Sequence, residues 1–83
     1  MNDMYSVQQI KERIRKRYES DPKIHVNVSL AHPRLHLQNV EATITGAYAH
    51  IFQIEETLTG QKRRHTLQYT DVFLHHIDIL DMD

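Results

Sequence analysis

Cysteine and tryptophan are absent from these 83 residues, and glycine and proline occur only twice each. Without cysteine there is no disulfide framework and no thiolate metal site. Two scattered glycines do not make a phosphate-cradling loop. No apolar run approaches the ~18 residues of a membrane span, and the N-terminal MNDMYSVQQIKERI lacks the apolar stretch of a signal peptide. The expectation is a cytoplasmic protein without membrane attachment. No paired carboxylates, no Ser-His-Asp set and no H-E-x-x-H spacing occur, so neither an enzyme nor a cofactor is expected.

Charge of one sign is lacking too. The formal net charge is −1, with 10 Lys and Arg against 11 Asp and Glu, which excludes a uniformly basic nucleic-acid binder. The distribution is uneven. Residues 1–20 carry +2, residues 21–65 carry +1, and residues 66–83 carry −4. Hydrophobic residues make up 40% and charged residues 25%, an ordinary globular balance. A chain of this length buries only roughly 60–65% of its unfolded surface, so one domain with one core is expected over residues 1–83.

A helix opens the chain. Ser6 suits an N-cap, with Gln9 three residues on as in a capping box, and Tyr5 is placed to staple onto Ile10. Val7, Ile10, Ile14 and Tyr18 fall within an arc of roughly 80°. Asp21-Pro22 closes the helix, giving it residues 6–20. From Lys23 the period becomes two: Ile24, Val26, Val28 and Leu30 alternate with His25, Asn27 and Ser29. AHPR at 31–34 reads as a turn. The next strand starts in odd phase at Leu35 and Leu37 and resumes in even phase at Val40, Ala42 and Ile44, a slip that marks a bulge near Gln38-Asn39. Residues 46–49 read as a turn, Phe52 and Ile54 as a third strand, and TLTGQ as a hairpin loop needing positive φ at its glycine. Arg63, His65, Leu67 and Tyr69 share one face of a fourth strand whose first half is expected to project into solvent. YTDVF at 69–73 reads as one helical turn with Thr70 or Asp71 as cap, and Leu74 to Leu80 as the last strand. The fold class is mostly β: an N-terminal helix, then a small five-stranded antiparallel barrel over residues 23–80, of SH3-like or Sm-like type.

The segments VEATITGAYAHIFQIEE and QYTDVF resemble the Veg family of small proteins from low-GC Gram-positive bacteria. The residues that carry the resemblance are Tyr48, Ile51, Phe52 and Ile54, then Tyr69, Asp71 and Val72, with Lys23, Ile24 and Val26 on the first strand. Ala42 and Ala49 depart from the family's usual Gly and Pro, and HPRLH, with only Arg34, replaces its run of cations. The resemblance implies an SH3-like barrel, no known catalytic activity, and a role in stimulating biofilm formation through gene regulation.

Two basic clusters are the candidate sites. Arg13, Lys16 and Arg17 lie on the helix, and Lys62, Arg63 and Arg64 follow the hairpin loop. Cations on one surface are what phosphate contacts need, so these six residues are the candidates for RNA or DNA binding. Charges on an edge strand also prevent self-pairing, and late cations suit the negative end of a helix. Both readings stay open at this point. The first leads to a nucleic-acid module, the second to a regulatory or adaptor protein that contacts an unidentified protein partner. The basic helix and acidic C-terminus also suit a homodimer. Seven histidines raise the question of a metal, but His32 and His36 are separated by a turn, and His75 and His76 on a strand would face opposite ways. No metal site is expected.

Overall fold

The computed structural model describes residues 6–32 and 34–82. Helix α1 spans Val7–Ser20. The Ser6 hydroxyl accepts from the Gln9 N–H at 3.1 Å, and the Gln9 side chain accepts from the Ser6 N–H at 2.9 Å, the expected reciprocal cap. The Tyr5 staple lies outside the described residues. Ile10 and Ile14 are buried and Val7 packs on the core. Tyr18 leaves the stripe and is 41% exposed. Arg17, half-buried, is turned toward the protein instead.

Strand β1, Lys23–Ala31, buries Ile24, Val26 and Val28. Strand β2, Arg34–Ala47, runs antiparallel to it. The phase slip is where the sequence puts it. Val26 pairs with Val40 but Val28 with Leu37, so Gln38 and Asn39 oppose Asn27 alone. Asn39 takes φ 49°, a left-handed conformation that Asn tolerates, and its N–H donates to the Asn27 side-chain oxygen at 2.7 Å. Strand β2 runs on to Ala47, later than expected. The turn that follows is held by the Tyr48 N–H donating to the Ile51 carbonyl at 2.8 Å.

Strand β3 covers Ile51–Glu56 and β4 Arg63–Gln68. Gly60 in their loop has φ 87°, the positive value expected of it. Helix α2, Tyr69–Phe73, is the predicted single turn. Its N-cap is Gln68 with no side-chain cap bond, so neither Thr70 nor Asp71 caps it. The last strand is shorter than Leu74 to Leu80: β5 is Ile77–Ile79. Leu74 is 56% exposed and His75 turns the chain with φ 63° before the strand begins.

The five strands form one antiparallel sheet in the order β4-β3-β2-β1-β5. It is not closed into a barrel. β4 pairs only with β3 and β5 only with β1. Helix α2 joins these two edges, and α1 packs against α2 and β2. The helices therefore cover the inner side chains where a β4–β5 ladder would otherwise be needed. Phe52 and Tyr69, stacked with centroids 5.4 Å apart, lie in one core with Ile14, Ile44, Ile54 and Ile77. Among the described residues no helix is long and apolar enough to cross a membrane.

Candidate functional site

The alternation of β3 carries past Phe52 and Ile54 to Glu56, which therefore points inward and is 2% exposed. Opposite it in the ladder stands Arg63, and His65 lies diagonally on the same face. One Glu56 oxygen, Oε2, accepts from Arg63 Nε at 2.8 Å and Nη2 at 2.7 Å, and lies 2.7 Å from His65 Nε2. Its other oxygen accepts from the Leu58 N–H at 2.7 Å. Burial pushes the Glu56 carboxyl up. The His65 bond, the Leu58 N–H and the Arg63 guanidinium outweigh it and hold the group below the ordinary carboxylate range.

On the outer face, Arg64 donates to Glu55 Oε2 through Nε at 3.1 Å and Nη2 at 2.6 Å. Lys62 Nζ reaches the other Glu55 oxygen only at 4.0 Å and stays 72% exposed. The start of β4 thus does not project freely into solvent. Each of the three hairpin cations has a carboxylate on β3 within ion-pair distance. The inward Glu56 is the residue that sequence reading missed. Its signal was present, because 52, 54 and 56 share a phase and Arg63 and His65 share another.

The helix cluster divides differently. Arg17 donates to three backbone carbonyls: Asp21 at 3.0 Å, Lys23 at 2.7 Å and Asp81 at 2.6 Å. It ties the end of α1 to the start of β1 and to the C-terminal segment. Arg13, Lys16 and Arg17 line a hollow of about 170 Å³ with Asp81 and Met82. Lys16 is exposed. The acidic C-terminal segment therefore meets the basic helix within one chain. The Asp81 carboxylate accepts from the His25 N–H at 2.9 Å and lies 3.3 Å from His25 Nδ1. Burial raises the Asp81 carboxyl. The His25 bonds, its own N–H and the nearby Arg17 charge outweigh this and hold it low. The two basic clusters thus sit on separate elements, α1 and the β3–β4 hairpin.

His75 and His76 do not alternate across a strand. They stand in the turn before β5, and both line a groove of about 260 Å³ with His36, Asn27, Gln38 and Asp78. His75 Nδ1 lies 3.2 Å from Asp78 and His76 Nδ1 lies 3.1 Å from Asp71. Among the described residues no three His, Asp or Glu side chains are grouped so as to hold a metal ion.

Residues of the segments VEATITGAYAHIFQIEE and QYTDVF have structural places. Phe52, Ile54, Tyr69 and Val72 are buried, the Tyr69 hydroxyl donates to the Tyr48 carbonyl at 2.7 Å, and Asp71 fastens His76. Comparison with protein-family models, curated proteins and solved structures gives no match to this chain.

Proposed function

We propose that this chain is a cytoplasmic, non-enzymatic regulatory or adaptor protein of the Veg type, acting on biofilm-type gene expression through contacts with a protein partner. The observation that carries the reading is the direction of its guanidinium groups. Arg63 and Arg64 point to Glu56 and Glu55, and Arg17 to backbone carbonyls. A phosphate taking the same donor edge would have to displace a carboxylate or break the tie between α1 and β1. Bidentate phosphate recognition uses two donors of the guanidinium fork; the Nε–Nη2 edge of Arg63 and Arg64 is engaged, as are all three nitrogens of Arg17. Phe52, Ile54, Tyr69 and Val72 of the motifs lie in one core, Tyr69 holds the Tyr48 carbonyl and Asp71 holds His76, which supports the family reading.

The alternative is an RNA- or DNA-binding module using Arg13, Lys16, Arg17, Lys62, Arg63 and Arg64. The two are separated by measuring RNA and DNA retention across a salt series. We expect weak retention with a log–log slope near zero, unchanged in an Arg63→Glu, Arg64→Glu variant. A slope of about −3 or steeper, which corresponds to roughly four neutralised phosphates, would establish the alternative instead.

A further inference from the structure

The exposed end of β1 is occupied by the chain's own acidic segment. β5 pairs Ile79 with Val26, and the ladder continues beyond it: the Leu80 N–H donates to the His25 carbonyl at 2.8 Å. The His25 N–H turns to the Asp81 carboxylate, and Arg17 takes the Asp81 carbonyl. Met82 closes the run against the core. Thus a stretch of apolar, acidic and apolar residues is read by two backbone groups of His25 and one guanidinium. Lys16 and Arg13 stand beside it around the hollow. The anchor of this stretch is separate from its recognition. Ile77 and Ile79 are buried, whereas Leu80 is 48% exposed and the Asp81 side chain 41% exposed.

We propose that this junction of α1 and β1 is a docking site for an acidic polypeptide segment of a partner, which adds to the edge of β1, and that residues 80–82 are its tethered occupant in cis. The inference rests on the protein-contact reading above and names the chemistry of the partner. Charge complementarity argues for the occupant, since α1 is cationic where the C-terminal residues are acidic. Strand addition supplies main-chain hydrogen bonds: Arg17 donates to the main-chain carbonyl, and the His25 N–H holds the carboxylate. A short tether gives a millimolar effective concentration. Against a segment that binds at about 0.1 mM, it suppresses binding from solution about tenfold.

The test uses the full chain and a fluorescein-labelled peptide of sequence Leu-Asp-Met, matching residues 80–82, followed by anisotropy. Asp81→Lys removes the acceptor of the His25 N–H and sets a cation beside Arg17, while Ile77 and Ile79 keep β5 anchored. The peptide is expected to bind this variant about tenfold more tightly than the wild type. Adding Lys16→Glu, an exposed change that leaves the fold intact, lowers that affinity severalfold. Equal affinity for wild type and Asp81→Lys overturns the proposal. So does an oligouridylate that gains more from Asp81→Lys than the peptide does. If the peptide fails while wild-type nucleic-acid retention stays flat with salt, the docking site falls and the protein-contact reading stands. A steep salt slope sinks that reading whatever the peptide does.

Discussion

Glu56 sits with its side chain wholly withdrawn from water, a position that costs several kcal/mol for an unpaired charge. It is tolerated because Arg63, His65 and the Leu58 N–H converge on its two oxygens. Replacing it with Gln keeps the shape but sets an amide NH₂ among these donors. We expect Glu56→Gln to lose about 2 kcal/mol, a fall of roughly 10 °C in Tm by calorimetry. The sign of the pH effect follows from the direction of the shift. A carboxyl held low in the folded state contributes stability at neutral pH, and that contribution is lost progressively below about pH 5 as both states take up the proton. Wild-type Tm should therefore drop on acidification, and Glu56→Gln should flatten the drop. Asp81 acts with the same sign, so the flattening is partial. A profile for the variant parallel to the wild type would show that Glu56 is not the group responsible. Tyr69→Phe is milder. It keeps the stack on Phe52 but leaves the Tyr48 carbonyl without its hydroxyl donor, so about 1 kcal/mol should be lost in a urea titration.

At the scale of elements, α1 tests which of its faces is the inner one. Ile14 is fully buried and Tyr18 is not. Ile14→Lys buries an unpaired ammonium and should cost 3 kcal/mol or roughly more, whereas Tyr18→Ala should stay within about 0.5 kcal/mol. Denaturant midpoints that ranked the two the other way would contradict the docking of α1. Here the sequence was legible where local chemistry and periodicity agreed. Ser6 and Gln9 specify the start of α1, the phase slip at Gln38-Asn39 specifies the bulge, and Gly60 specifies the hairpin turn. It was misleading where a long-range contact decides. Tyr18 fits the apolar arc, but the carbonyls of Lys23 and Asp81 draw Arg17 inward in its place. Leu74 to Leu80 alternates like a strand, yet the His76 N–H donating to the Asp71 carbonyl, with His76 Nδ1 beside the Asp71 carboxylate, closes a turn over its first half. No local pattern announces either partner, because each comes from a different element or from several residues away.

At the scale of the whole molecule, covering the core with helices has a consequence that a closed barrel would avoid. The outer edge of β4 is left without a strand partner. Alternate residues of Arg63–Gln68 turn their backbone groups to that edge, and such edges pair with other chains unless something prevents it. On that edge stands the charge that first raised the question of phosphate binding. Arg64 and Thr66 are exposed on the strand, Arg64 is paired with Glu55, and Lys62 stands just before it. A second copy approaching in antiparallel register would bring these cations near their own images in a site that pairing dehydrates, and like charges there are destabilising. Replacing the outward pair with β-branched apolar residues removes that barrier and raises strand propensity together. The double variant Arg64→Val, Thr66→Val should therefore keep its helical and strand circular-dichroism signal but self-associate more strongly than the wild type at tens of micromolar by light scattering. Association that instead required loss of the folded signal would place the hazard in the unfolded chain. The cations would then have no protective part to play at this edge.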